Sequence, residues 1–125
     1  MQDNYIINMF FNEIYVIFTP MSWLYLLIAS IFEVGWPFGM KMASFGVNKF
    51  GWIIFAVVAM ALSGVFLYIA QKEIPIGIAY AIWTGIGATC TFCLGVWVFG
   101  DGISLVKILG ILFIVLGIVL LEISK

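Results

Sequence analysis

One glutamate lies near the middle of a long apolar segment in this chain. Glu33 is the only charged residue between Trp23 and Lys41. At about 1.5 Å of helix per residue, it is roughly 15 Å from the tryptophan and 12 Å from the lysine, which places it near the middle of a bilayer. A charged side chain at that depth costs at least about 2.5–3.5 kcal/mol. The position therefore indicates a functional site, with a proton or a cation as its partner.

Four further side chains with polar or aromatic groups lie inside apolar segments. Trp36 follows Glu33 by three residues, so both lie on one face of a helix, and Tyr80 and Trp83 have the same spacing. Ser63 is a hydroxyl near the middle of another segment. A carboxylate with two indoles, a phenol and a hydroxyl suits a small cation. The alternatives are ordinary packing for the aromatic residues and a hydrogen bond within its own helix for the serine.

The elements that carry these residues are predicted to be membrane-spanning helices. Of the 125 residues, 66% are hydrophobic and 9% are charged, whereas about 25% are charged in a typical soluble domain. Four apolar segments are each close to the roughly 20 residues that a spanning helix needs, at about 23–44, 52–70, 76–99 and 105–121. Short connections make successive helices antiparallel neighbours. The sequence therefore predicts an all-α, multi-pass protein of the cell (inner) membrane.

The composition argues against several other classes of protein. The chain has no histidine, its five basic residues are all lysines, and its net charge is −1. We therefore expect no cofactor, no metal site and no nucleic-acid partner. No nucleophile is paired with a base, so we do not expect an enzyme. Cys90 and Cys93 share a helix face; a redox pair is one interpretation, and two small packing residues is the one we favour.

Residues 1–20 differ from the rest of the chain and are predicted to form an extension to a four-helix domain over residues 21–125. Apolar residues at helical spacing, with asparagine and glutamate between them, predict a short interfacial helix. Pro20 interrupts this pattern, so the first span is expected to begin just after it. The extension lacks a positive n-region and a small-residue cleavage site, which argues against a signal peptide.

The lysines are divided almost evenly between the two sides of the predicted helices. One side carries two and the other three: Lys72 and Lys125 against Lys41, Lys49 and Lys107. Because lysine bias sets orientation, this near balance predicts insertion both ways, a single orientation being the alternative. Four small helices rarely enclose a pathway. We therefore expect an antiparallel, dual-topology homodimer that brings two Glu33 carboxylates together near mid-membrane.

Each of the last two predicted helices contains a pair of glycines that could serve close packing or bending. Gly110 and Gly117 lie seven residues apart on one face, and small residues let membrane helices approach closely. This spacing fits a dimer contact and packing within the chain equally well. Gly85 and Gly87 follow Trp83 and predict a flexing point, because glycine weakens a helix by about 1 kcal/mol. Close packing is again the alternative.

The chain resembles the small multidrug resistance (SMR) family of four-helix transporters. The segment Ile31–Trp36 is similar to the family's first-helix signature around a membrane glutamate, and Pro75–Gly87 is similar to its third helix. The glycines Gly110 and Gly117 resemble the family's dimer contact. The resemblance covers residues 21–125, which makes that part a four-helix transporter domain, and leaves out the extension.

Within this family, Trp36 and Ser63 resemble the guanidinium-exporter (Gdx-type) subfamily. The quaternary-ammonium subfamily typically has a small residue at the first position and an aromatic one near the second. The resemblance implies proton-coupled antiport of a small organic cation, with guanidinium as the expected substrate. It assigns proton and cation binding to Glu33, and the hydrogen-bonded site around it to Trp36, Ser63, Tyr80 and Trp83.

The chain departs from the family pattern beside the glutamate. Pro37 stands where a small residue such as alanine is expected, and a proline inside a helix removes a hydrogen bond and can kink the helix. Ser30 adds a hydroxyl one turn before Glu33, and the first loop lacks the usual arginine. Export of bulkier quaternary ammonium or other drug cations therefore stays an alternative. An alternative of another class is a non-transporting partner subunit of a heteromeric membrane complex.

Overall fold

The computed structural model describes the backbone of residues 2–124 and the side chains of residues 4–12 and 21–124. This part of the chain forms four α-helices: α1 Gln2–Ser44, α2 Lys49–Ala70, α3 Ile76–Phe99 and α4 Leu105–Ile123. Met21–Ser44 of α1 and the whole of each other helix are long and apolar enough to cross a membrane. The prediction of an all-helical chain with four such segments is confirmed.

Helix α1 continues through the position where the sequence predicts an interruption. It is one helix of 43 residues, with no boundary at Pro20. Proline removes a single hydrogen bond, and membrane helices tolerate it because the bonds on either side remain. At roughly 65 Å, α1 is about twice as long as the hydrocarbon core of a bilayer is thick. That residues 1–20 are an extension outside the transporter domain stays a prediction.

Helix α1 is the central element, and small residues bring α2 close to it. In the described part of the chain α1 packs on α2 and α3, whereas α4 contacts α3 alone. A Cβ added to Gly35 would lie 2.8 Å from the Cβ of Ala59, and one added to Gly39 would lie 3.0 Å from the backbone oxygen of Trp52. Both positions therefore require glycine, and this contact sets the register of α2 against α1.

A buried cluster fixes α3 against α1 near the turn that joins α2 to α3. It consists of Leu26, Ala70, Ile74, Ala79 and Ile82. Trp83 is partly buried and packs against this cluster. The cluster therefore determines where the Trp83 indole lies relative to the middle of α1.

Candidate functional site

Four of the five predicted site residues form one chain of hydrogen bonds across three helices. Trp36 Nε1 donates to Glu33 Oε1 at 3.0 Å, and Ser63 Oγ lies 3.1 Å from Glu33 Oε2. Trp83 Nε1 donates to Ser63 Oγ at 2.9 Å. Both oxygens of the carboxylate thus have a donor, one from α1 and one from α2, and α3 supplies the group that orients the second donor.

Ser63 lies at the junction of this network and has two acceptors for one proton. It is completely buried, at 0% exposure. Its Oγ is 2.8 Å from the backbone oxygen of Ala29 and 3.1 Å from Glu33 Oε2, and a serine hydroxyl donates one hydrogen bond at a time. Its acceptors lie on α1, so the alternative of a bond within its own helix is not what the structure shows. Ser30 makes such a bond instead, to the backbone oxygen of Leu26 at 2.8 Å.

Both hydrogen-bond partners of Glu33 in the described part of the chain, an indole and a hydroxyl, are neutral. The negative charge of an ionised carboxylate is therefore not compensated by its hydrogen-bond partners. A cation or a proton would supply the compensation that the low-dielectric surroundings favour.

Tyr80 is connected to the network through a ring contact. Its ring packs edge-on against the ring of Trp83, with centroids 5.2 Å apart and planes at 62°. The side chain is 57% exposed. The structure thus places Tyr80 beside the site, and it is not part of the hydrogen-bond chain to Glu33.

The glycines of α3 lie where the helix meets its neighbours. A Cβ on Gly87 would lie 2.8 Å from Glu33 Cγ, and a Cβ on Gly85 would lie 2.9 Å from Ile118 Cδ1 on α4. The structure therefore gives both glycines a packing role. Helix α3 is continuous through them, and flexing at this point stays a prediction.

A cavity of about 280 Å³ opens beside the carboxylate between α1 and α3. Its lining residues come from these two helices: Glu33, Trp36, Pro37, Thr84, Gly87, Ala88 and Thr91. The threonines and Ala88 were not among the predicted site residues. Gly87, Ala88 and Thr91 follow Thr84 by three, four and seven residues, so all four lie on one face of α3. This spacing is the sequence pattern that could have predicted the threonines and Ala88 as lining residues.

Helix α4 presents Gly110 and Gly117 to open space. Among the described residues, nothing lies within 4 Å of a Cβ added to either glycine, and no residue of α4 is buried. Packing within the chain, one of the two predicted interpretations, is therefore not observed at these positions.

The fold and the site define a small four-helix membrane protein with a hydrogen-bonded carboxylate within its first span. Residues 21–114 match the model of the Small Multidrug Resistance protein family, and the chain belongs to this family. The match begins directly after Pro20, so the first 20 residues lie outside it. The predicted family and the multi-pass location in the cell (inner) membrane are confirmed.

Several similar proteins carry the name guanidinium exporter. The one from Yersinia pseudotuberculosis is 42% identical over 105 residues, which span 84% of this chain and 100% of the relative. The one from Proteus vulgaris is 38% identical over 105 residues, with the same coverage of both chains. The one from Escherichia coli K12 is 38% identical over 104 residues, or 83% of this chain and 98% of the relative. These names describe exporters, not enzymes.

Proposed function

We propose that this chain exports small organic cations in exchange for protons, with guanidinium as its main substrate. The observation that carries the proposal is the Glu33 carboxylate, which is held by two neutral donors beside a cavity in the membrane-spanning part of the fold. The names of the similar proteins agree with this substrate.

The geometry supports competition between proton and cation for one carboxylate. Guanidinium is planar and presents several N–H donors, which pair with carboxylate oxygens as an arginine does. Trp36 and Ser63 fix the direction of these oxygens. A proton bound to either oxygen removes the charge that attracts the cation. If the protein changes between its inward-open and outward-open states only with one of them bound, the two are exchanged.

We further propose that the working unit is an antiparallel homodimer of dual topology. The near balance of lysines supports insertion in both orientations. Among the described residues, only those of α1 and α3 line the cavity beside Glu33, and α4 is unburied with two glycines facing open space. A second, inverted copy would cover these surfaces and supply a second Glu33. The two copies would form the inverted repeat that alternating access uses.

Flux measurements on the purified chain in proteoliposomes test this function. Under an imposed pH gradient, we expect guanidinium to move against the proton flux and tetraethylammonium, which has no N–H donor, to move far more slowly. Faster movement of tetraethylammonium would favour the quaternary-ammonium alternative. No coupled flux of either cation would favour a non-transporting partner subunit.

Ser63→Ala is expected to raise the Kd for guanidinium about tenfold. The change removes the hydroxyl that orients Glu33 Oε2 and that accepts from the Trp83 indole. The carboxylate must then be ordered when the cation binds, and a tenfold change in Kd corresponds to about 1.4 kcal/mol. Isothermal titration of the protein in detergent measures this effect. Ser30→Ala is the matched control, since Ser30 is equally buried but bonds within its own helix. Equal affinities in wild type and Ser63→Ala would reduce Ser63 to a packing residue.

Gly87→Ala is expected to weaken guanidinium binding by about fivefold to tenfold, or about 1–1.4 kcal/mol. The added methyl group would lie 2.8 Å from Glu33 Cγ, so the carboxylate must move out of line with Trp36 and Ser63. Gly77→Ala on the same helix is the control, because no described atom lies within 4 Å of the added Cβ. The same titration compares the two variants, and equal effects would contradict the positioning role of Gly87.

A further inference from the structure

A second cavity continues the Glu33 cavity toward the ends of α1 and α3. It has a volume of about 240 Å³ and includes Lys41 and Asp101 in its lining. Pro37 and Thr91 line both cavities. A cleft between α1 and α3 therefore runs from the carboxylate within the span to a pair of charged side chains at the helix ends.

The turn after α3 fixes Asp101 at the mouth of this cleft. Helix α3 ends at Gly100, whose φ of 71° is in the left-handed region that glycine adopts without strain. The backbone N–H of Asp101 donates to the backbone oxygen of Gly95 at 2.9 Å. The chain thereby folds back, and Asp101 Oδ2 lies 2.5 Å from the position that a Cβ on Gly95 would take. The turn thus places the Asp101 carboxylate over Gly95, in the lining of the cleft.

Lys41 places a cation against aromatic rings of the same cleft mouth. Its Nζ lies 5.9 Å from the centroid of the Phe45 ring and 5.8 Å from that of the Phe99 ring, within reach of a cation–π interaction. In the described part of the chain, Lys41 and Asp101 form no ion pair within 4.0 Å. The mouth of the cleft therefore has a carboxylate that attracts a cation and aromatic rings that already contact the Lys41 ammonium group.

We propose that Asp101 and Lys41 form a charged entrance to the Glu33 cavity, at which an organic cation binds transiently before it reaches the central site. This inference rests on the proposed function. The arriving cation meets the Asp101 carboxylate and displaces the Lys41 ammonium from the Phe99 ring. It then passes Pro37 and Thr91 to Glu33. Asp101 accelerates this entry and Lys41 opposes it.

The entrance is far enough from the central site at Glu33 that a change at the entrance should affect the rates of guanidinium binding and not its Kd. On α3, Glu33 lies against Gly87 and the Asp101 carboxylate lies against Gly95, which are eight residues or about 12 Å apart along the helix. A guanidinium ion bound at Glu33 is therefore too far from Asp101 for a hydrogen bond. A change at Asp101 should alter the rates of entry and exit by the same factor and leave the Kd almost unchanged.

Stopped-flow tryptophan fluorescence on the full chain in nanodiscs tests this entrance with guanidinium chloride as the probe, since Trp36 and Trp83 flank the central site. We expect Asp101→Asn to lower both kon and koff about threefold to tenfold and to keep the Kd within about twofold. Lys41→Gln should raise both rates. These differences should shrink in 0.5 M salt, because steering by exposed charges is screened.

Two control variants carry the same charge changes away from the cleft. Glu73→Gln removes an exposed carboxylate after α2, and Lys72→Gln removes an exposed lysine whose Nζ lies 4.9 Å from the centroid of the Tyr68 ring. Both should keep wild-type rates. Unchanged rates in Asp101→Asn, or equal changes in Glu73→Gln, would overturn the entrance while a normal wild-type Kd leaves the proposed function standing. A wild-type chain that neither binds nor transports guanidinium would overturn both.

Discussion

Glu33→Gln is expected to abolish proton-coupled exchange of guanidinium, with a loss of at least about a hundredfold. Glutamine has nearly the same shape as glutamate and keeps an oxygen that can accept from Trp36 or Ser63. It cannot take up and release a proton near neutral pH, and it presents no negative charge to the cation. Radiolabelled guanidinium uptake into proteoliposomes under a pH gradient measures the loss.

The loss of exchange in Glu33→Gln points to the carboxylate only if the variant still folds and inserts normally. Because the change removes a charge from the apolar span, we expect insertion and oligomeric state to match those of the wild type. Glu73→Gln, at an exposed position after α2, is the matched control and should retain full exchange. Normal exchange by Glu33→Gln would remove this carboxylate from the mechanism.

Replacement of both α4 glycines by leucine is expected to abolish dimer formation and, with it, transport. No described atom lies within 4 Å of a Cβ added to Gly110 or Gly117, so the first atom of an added side chain meets no described atom of the same chain. They also favour the helix by about 1 kcal/mol each over glycine. We therefore expect the loss to come from the contact with a second copy, which the larger side chains would hold apart.

Single-molecule photobleaching of the labelled protein in bilayers measures this dimer population. We expect the Gly110→Leu, Gly117→Leu double variant to be monomeric at densities where the wild type is dimeric. Gly64→Leu on α2 is the control, since a Cβ there also meets nothing within 4 Å. An unchanged dimer population in the double variant would place the interface elsewhere or contradict a dimer altogether.

The sequence predicted the membrane-spanning helices and the pairing of Glu33 with Trp36, because both depend on local patterns. Apolar runs of about 20 residues identify spanning helices, and the three-residue spacing of Glu33 and Trp36 places both on one helix face. The observed hydrogen bond between them follows directly from that spacing. Helix α2 begins at Lys49, three residues before the predicted start at Trp52, since polar residues can form the first turn outside the apolar core.

Ser63 and Trp83 were predicted as site residues, but their contacts depend on how the helices approach one another. Ser63 reaches Glu33 and Ala29 because Gly35 and Gly39 let α2 lie against α1 in one register, and no local pattern specifies that register. The cavity wall formed by Thr84 and Thr91 likewise depends on the position of α3 against α1. At Pro20, the local rule predicted an interruption that the continuous helix α1 does not have.

The release of protons when guanidinium binds to the purified protein tests directly whether the two compete for Glu33. In weakly buffered solution with a pH indicator, we expect guanidinium to displace protons from the wild type and to displace none from Glu33→Gln. Proton release should saturate at the same guanidinium concentrations as binding measured by titration. Saturable binding to the wild type without any proton release would contradict competition at Glu33.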